Sequence, residues 1–553
     1  MAATEKNKQT KVKWTGLGLW NVFFIGEFLL GGFGYLSLNL LQNVLLLVFV
    51  LFPIGNRYLR WFRTLVAVVC AAALVYSESW LPGLDSIRGN FHNLAAMESG
   101  YLLDSALNFL NFEMIGAGIA LIIIYYAIRD YIRVTTFTVG YLFILLCAPL
   151  WQPFVAQLRA PAPATEVVAS VDNAKKPAEE EKKSDLIPQT AEHSEPTSKN
   201  LDEWLKRFHD TEKDRRAEWP DKLAKDSTPF DILLLNICSL SNDDLKAVGL
   251  ENHEVLKQFN IRFENFNSAT SYSGPAALRL LKSVCGQPSH EDLYEGRNPD
   301  CEIMNRLARL GYNQHVFMDH SGKYDNFYQS LRHLAGLSPQ LAEMKYPKRY
   351  DSFDEEPIGD ARAVFKDYEN TIAADKGGRS ATFINMIALH DGNRFANKRR
   401  LAPFKPRAQA MLDDLGSLIT DLEKSGRKVM LVVVPEHGAA EKGDKVQVAH
   451  LRDIPSPAIT HVPALVKFIG VTPADSPVAV DTKTSYLAVS SLIGRVLETN
   501  YFGKPEGEVP LKDLVKDLPQ THSVSENANA KVVNYKGKDY VKMDNKDWRE
   551  YAK

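Results

Sequence analysis

Residues able to do metal and phosphoryl chemistry stand at four separated points of the 553-residue chain: Cys238, the run Ser271-Tyr272-Ser273-Gly274, His390, and Glu436-His437-Gly438. Thiolate, imidazole and carboxylate are the usual zinc ligands, so Cys238, Glu436 and His437 offer three of them if folding brings them to one place. The spacing matches neither HExxH nor a CxxC pair, and satisfied polar groups on loops account for the same residues. Ser273 opens the stretch SGPAALRLLKSV, where a helix start would turn unpaired N–H groups and a positive dipole end toward a phosphate. A metal beside it would lower the hydroxyl pKa and make it a nucleophile. The plain alternative is a helix cap, because serine is favoured there and Pro275 suits a first turn. The G-x-S-x-G, G-x-x-x-x-G-K-[ST] and G-x-G-x-x-G patterns of competing chemistries are missing.

Such residues need a scaffold that gathers loop ends. From Phe230 onward, short apolar runs alternate with amphipathic stretches, which predicts an α/β domain with a mainly parallel central sheet. FDILLLNICSLS reads as a buried strand leading into Cys238, and SATFINMIALHDGN as a strand ahead of His390. RAQAMLDDLGSLITDLEKSGRKVMLVVVPEHG reads as helix, turn at Ser425-Gly426, strand, and a polar loop with Glu436 and His437. Ligands of open α/β sheets gather at the carboxyl ends of strands, and the four points fall there. CEIMNRLARLGYNQHVFMDH predicts a helix then a strand, SYLAVSSLIGRVLE a helix, and KVVNYKGKDYVKM a hairpin. Leu201, Trp204, Leu205 and Phe208 mark an amphipathic helix before the sheet.

Charge nearly cancels, with 65 Lys+Arg against 67 Asp+Glu, so no global field draws the chain to nucleic acid. The mean hydropathy of -0.20 averages an apolar region up to residue 156 and a polar remainder. Stretches 17–37, 39–54, 61–78, 114–131 and 134–153 predict an α-helical membrane bundle of five spans. The second is short and also reads as re-entrant or interfacial. Lys6, Lys8, Lys11 and Lys13, then Arg57, Arg60 and Arg63, then Arg129 and Arg133 mark cytoplasmic segments. Residues 79–113 carry only Arg88 as a base beside Asp85, Glu98, Asp104 and Glu113, which suits the outer side. The N-terminus is then inside and the chain after residue 157 outside, and the first span, lacking an A-x-A site, is retained. Three parts result: a membrane anchor over 1–156, a Pro/Ala/Glu/Lys-rich flexible linker over 157–199, and a catalytic α/β domain over 200–553. Cys285 and Cys301 bracket a polar loop that an oxidising compartment would close as a disulfide. Cys70 and Cys147 lie in apolar spans. Cys238 is left alone, either a buried hydrophobe or a functional ligand.

The strings NICSLS (236–241), FNSATSYSGPAA (266–277), LHDGN (389–393), SGRKVM (425–430), VVVPEHG (432–438), LRDIPSP (451–457) and VSENANA (524–530) occur in this order. They resemble the cellulose phosphoethanolamine transferase family of enterobacterial cellulose secretion systems. That family is a branch of the alkaline phosphatase and sulfatase superfamily, related to the lipid A phosphoethanolamine transferases. The resemblance runs from the apolar spans to the C-terminus, the linker excepted. It implies an alkaline-phosphatase-like α/β domain with a Zn2+ site formed by Cys238, Ser273, Glu436 and His437. Ser273 would be the nucleophile, and Tyr272, His390 and Arg452 would complete the pocket. Lipid A transferases typically carry an acidic residue where Cys238 stands and Asp-His where Glu436-His437 stands, so the cysteine sets this family apart. The implied reaction moves phosphoethanolamine from phosphatidylethanolamine to the glucose 6-hydroxyl of cellulose through a phosphoethanolamine-serine intermediate. The implied setting is the bacterial inner membrane and its lipid, with the catalytic domain in the periplasm and subunits of the cellulose synthase complex as partners. A phosphodiesterase- or sulfatase-type hydrolase and a non-catalytic assembly component are the rival readings.

Overall fold

Helix breaks set the pattern of the N-terminal region. The computed structural model describes residues 16–79, 112–159 and 194–551, apart from 34, 37, 342–344, 376, 399, 474, 506 and 545 and the side chains of 112–114 and 148–159. The lysine-rich N-terminus, most of the 79–113 segment expected on the outer side, and most of the expected linker lie outside the described residues. Two units form, one holding the helices up to residue 159 and the other the chain from residue 194.

In the first unit, helices run over Trp20–Gly32, Leu40–Leu51, Arg57–Glu78, Phe112–Ile128 and Val134–Arg159. Pro53 follows Phe52, the C-cap residue of the second, and the Asn56 side chain caps the third by accepting from Tyr58 N–H at 2.9 Å. Of the five expected spans, Arg57–Glu78 is long and apolar enough to cross a bilayer; over the residues whose side chains are described, the other apolar helical stretches, Trp20–Gly32, Leu40–Leu51, Ile115–Ile128 and Val134–Cys147, are shorter. Phe24, Phe28, Leu46, Leu47, Ala67 and Leu142 pack as a small core.

The second unit carries strands β1 (Asp231–Ile237), β2 (Ile261–Phe266), β3 (Asn313–Met318), β4 (Lys348–Asp351), β5 (Pro357–Gly359), β6 (Ser380–Met386) and β7 (Arg394–Phe395). They are followed by β8 (Val429–Val433), β9 (Ala464–Ile469), β10 (Val478–Thr484), β11 (Val524–Glu526), β12 (Ala530–Tyr535), β13 (Lys538–Met543) and β14 (Arg549–Glu550). The central sheet has seven strands in the order β10-β2-β9-β8-β1-β6-β3. Six strands run the same way, but β9 is antiparallel to both β8 and β2, so the sheet is mixed rather than uniformly parallel. The reason lies in the connection. The chain leaving β8 makes only a four-residue helix, Pro457–Thr460, before β9. Without a crossover to the other end of the sheet, it re-enters from the edge it left, which forces an antiparallel pair.

Every residue of β1, β6 and β8 is buried, so these strands read as unbroken apolar runs covered on both faces. Ile232, Leu234, Phe383, Met430 and Val432 point into one core with the helices Ser273–Leu281, Ile303–Arg309, Phe327–Ala335 and Tyr486–Glu498. Leu233, Leu235, Ile384, Leu431 and Val433 point into the other, against the helices Ala361–Ala374 and Phe404–Lys424. The predicted amphipathic helix forms over Ser198–Asp214 and lays Leu201, Trp204 and Phe208 on Val524, Val533 and Tyr535 of the antiparallel sheet β11-β12-β13-β14. The predicted hairpin is β12-β13, turned at Lys536-Gly537.

Candidate active site

The carboxyl ends of β1 and β8 and the start of the Ser273–Leu281 helix meet at one edge of the central sheet. Cys238 follows β1 directly, and its N–H donates to the Met386 carbonyl of β6 at 2.8 Å. Glu436 N–H donates to Ile237 O at 2.9 Å, and Leu240 N–H donates to His437 O at 2.7 Å, which laces the loop after β8 to the end of β1. Gly438 has to be glycine, because a Cβ there would meet Ser241 Oγ at 2.6 Å and Asp244 Oδ2 at 2.7 Å. Asp244, in a capping box with Ser241, accepts from Ala439 N–H at 2.6 Å and Glu441 N–H at 3.0 Å and holds the far side of that loop.

Ser273 is the first residue of its helix, with Tyr272 in the cap position and no side-chain capping bond. Its Oγ instead lies 3.4 Å from Cys238 Sγ and 3.4 Å from His437 Nε2. Asn527 fixes the approach to it: Oδ1 accepts from Thr270 Oγ1 at 2.9 Å and Ser271 N–H at 3.2 Å, while Nδ2 donates to Ser271 Oγ at 2.7 Å.

Cys238, Glu436 and His437 are buried, with their ligand atoms within 4.8 Å of one another. His437 Nδ1 is 2.8 Å from Gly438 O, which can only accept, so the proton sits on Nδ1 and the Nε2 lone pair faces the thiol and the serine. Glu436 Oε1 accepts from Asn385 Nδ2 at 2.6 Å, while Oε2 is buried without a hydrogen-bond partner among the described residues. The Asn385 amide is itself oriented. Gly322 N–H donates to His320 Nδ1 at 3.2 Å, so His320 Nε2 carries the proton and donates to Asn385 Oδ1 at 2.8 Å. Asn385 Nδ2 is left to serve Glu436 and, at 2.9 Å, Asn236 Oδ1.

Burial and the Glu436 charge push the Cys238 thiol up to about 12. Burial also raises the Glu436 carboxyl, and burial with the Arg452 charge holds His437 well below the usual imidazole value. Each group is driven toward its neutral form, the state that a divalent cation among them reverses for the thiol and the carboxyl. Sulfur, nitrogen and oxygen donors, an orphaned carboxylate oxygen and an inward imidazole lone pair fit a zinc ion, with Ser273 Oγ as the fourth donor.

Arg452 Nη1 lies 3.2 Å from Ser239 Oγ and 3.3 Å from His437 Nδ1, which places its charge beside this set. Tyr272 OH donates to Asp453 Oδ1 at 2.8 Å, and the residue is 38% exposed. His390 Nδ1 is 2.6 Å from Asp391 O and its ring stacks on Phe353 at 4.8 Å. Burial and the Arg452 charge bring His390 down to about 4. Among the described residues, neither Tyr272 nor His390 hydrogen-bonds to the four central side chains. Cys285 and Cys301 form the predicted disulfide, and Cys238 is free and buried. Asn236 and Asn385 were not singled out in the sequence. Their signal was a single asparagine within each of two apolar strands, and the register places the two directly opposite each other.

Two family models match the chain: the cellulose biosynthesis protein BcsG N-terminal domain over residues 20–147, and its C-terminal domain over 186–548. The chain is 41% identical over 542 residues to the cellulose biosynthesis protein BcsG of Salmonella typhimurium strain LT2, with 97% of each chain covered. It is 40% identical over 542 residues to that of Escherichia coli strain K12, again with 97% of each covered. Among solved structures, a protein in the alkaline phosphatase superfamily from Vibrio parahaemolyticus aligns at TM-score 0.42 and 13% identity over 60% of this chain and 81% of that one. The C-terminal periplasmic domain of EcEptC from Escherichia coli aligns at TM-score 0.38 and 15% identity over 56% of this chain and 94% of that one.

Proposed function

Because the chain belongs to the BcsG family of cellulose biosynthesis proteins, we propose that it transfers phosphoethanolamine from phosphatidylethanolamine to the glucose 6-hydroxyl of cellulose through an ester on Ser273. The observation that carries the reading is the half-buried Ser273 hydroxyl at a helix start, 3.4 Å from both Cys238 Sγ and His437 Nε2 of the buried ligand set. In the first step Ser273 Oγ gives up its proton and bonds to phosphorus, while the bond from phosphorus to the glycerol oxygen breaks and diacylglycerol leaves with a proton. In the second, the sugar hydroxyl bonds to phosphorus, the Oγ–P bond breaks, and Ser273 regains a proton. The guanidinium of Arg452 and the unpaired N–H groups at the helix start hold the phosphoryl oxygens as charge shifts among them. His390, neutral at pH 7 with Nδ1 turned to Asp391, keeps Nε2 free to carry a proton between serine and acceptor. Tyr272 at the rim borders the path of donor and acceptor. Cys238, Glu436, His437 and Ser273 Oγ would hold Zn2+, which when bound supplies positive charge that favours the serine alkoxide and the crowded phosphoryl oxygens.

We place the N-terminal helices in the bacterial inner membrane as a multi-pass anchor with the N-terminus cytoplasmic and the α/β domain periplasmic. The exposed apolar side chains of Leu41, Trp61, Phe62, Phe137 and Phe143 and the Cys285–Cys301 disulfide support that reading. Such an anchor keeps the pocket near its lipid donor and beside the cellulose synthase complex, while the linker gives reach toward the glucan.

The full chain, incubated with phosphatidylethanolamine labelled in its ethanolamine and with a cello-oligosaccharide, should place label on the sugar. Label recovered as free phosphoethanolamine would make the protein a hydrolase. Lipid left intact with zinc bound would make it a non-catalytic component.

A further inference from the structure

We infer that the cavity lined by the Ser273–Leu281 helix, the Cys285–Cys301 loop and the start of the Tyr486–Glu498 helix binds a monatomic anion of chloride size, held by Arg279. This site is separate from the phosphoryl chemistry proposed above and does not depend on it. Arg279 is 2% exposed, and Nε, Nη1 and Nη2 all lack a hydrogen-bond partner among the described residues. A guanidinium has donors only and keeps its charge, so burying it alone is costly enough that a partner is required. Arg279 lines the cavity with Lys282, Gln287, Ser485, Tyr486 and Thr521. The hydroxyls of Tyr486 and Thr521 are also buried without partners, which adds two more donors.

The thirteen-residue Tyr486–Glu498 helix begins at this wall with no side-chain cap, because Ser485 Oγ donates to Asn267 O at 2.9 Å instead. Its first-turn N–H groups and its positive dipole end therefore add to the Arg279 charge. The nearest counter-charge, Glu526, makes no hydrogen bond to Arg279. Its oxygens accept from His290 N–H at 2.9 Å, lie 3.3 Å from His209 Nε2, and lie 3.6 Å from Lys531 Nζ. The cavity volume is about 10 Å³, room for one water or one halide. A single water would accept from two donors and add no negative charge to that of Glu526, which is shared with His209 and Lys531. A halide accepts from several donors at once and neutralises it. Bound there, the anion ties the helix that begins at Ser273 to the disulfide loop and to a second helix.

The test uses the full chain in detergent, with chloride exchanged for gluconate at constant ionic strength. Thermal unfolding should rise by about a few degrees and saturate with chloride, and equally with bromide. Arg279→Met should abolish that rise, and Thr521→Val, which removes a single hydroxyl, should shift it to higher halide. Crystals grown in bromide should show an anomalous peak against Arg279, a readout that stands even if Arg279→Met does not fold. Equal unfolding in chloride and gluconate would overturn the inference. So would a halide effect with no bromide peak in the cavity, which would leave water as its occupant.

Discussion

Replacing Asn385 by leucine tests how the site is held, because the substitution keeps the shape of the side chain and removes its polar ends. Three hydrogen bonds are lost: Nδ2 to Glu436 Oε1 at 2.6 Å, Nδ2 to Asn236 Oδ1 at 2.9 Å, and the contact of Oδ1 with His320 Nε2 at 2.8 Å. The bond to the Glu436 carboxylate is the strong one, contributing about 1.5–3 kcal/mol as a bond to a charged group. Its loss frees Oε1 to turn away from the direction that leaves Oε2 facing Cys238 and His437. Groups that orient a metal ligand in this way typically alter affinity by about 10–100-fold, so zinc binding should weaken within that range. The assay is competition with a chromophoric chelator on the full chain in detergent, with thermal unfolding as the check on folding. Asn385→Asp should also weaken zinc, because a second carboxyl against Glu436 keeps one of the two protonated. A folded Asn385→Leu protein with zinc affinity within about twofold of the parent would show instead that Glu436 finds its place without the amide.

Cys238→Ala should lower zinc affinity while the fold survives, and Ser273→Ala should keep part of it through Cys238, Glu436 and His437; metal content of the purified variants checks both. Non-reducing peptide mapping should recover Cys285 joined to Cys301 with Cys238 free. Their separation of 16 residues closes a loop whose loss should cost about 3 kcal/mol, read as a lower unfolding midpoint in Cys285→Ser with Cys301→Ser. Burial, against the hydrogen bond with Asn385, holds His320 down at about 4. The unfolded chain takes up that proton first as pH falls, so this stability is complete above about pH 6.5 and fades toward pH 4, by at most roughly 3 kcal/mol. Denaturant unfolding at pH 7 and pH 5 should show the loss, and His320→Gln should flatten part of it. Reporters fused after residue 157 should be active only outside the cytoplasm, and activity inside would overturn the proposed orientation.

The strands that carry the site were legible because β1, β6 and β8 are covered on both faces and show as apolar runs. Their ends gave Cys238, Glu436 and His437, yet convergence at Ser273 depends on β2 lying three places from β1 across the antiparallel β9. No local pattern encodes that order. The direction of β9 was likewise hidden, since a strand's periodicity is the same read either way, and only the missing crossover after β8 fixes it. Ser273 as a cap or as a site residue was undecided by its helical context. Its hydroxyl points to Cys238 and His437 because Asn527, more than 250 positions away, fixes Ser271. The asparagines of β1 and β6 were visible as polar residues in apolar strands, but their meaning needed the register that sets them opposite each other.

The proposed uptake of the phosphoryl group by Ser273 is tested most directly by peptide mass analysis of the full chain after exposure to phosphatidylethanolamine without acceptor. One phosphoethanolamine adduct is expected, on Ser273, formed in the parent and missing from Ser273→Ala, and lost from the protein when a cello-oligosaccharide is added. An adduct on Tyr272 or another residue, with Ser273→Ala still able to transfer, would contradict it.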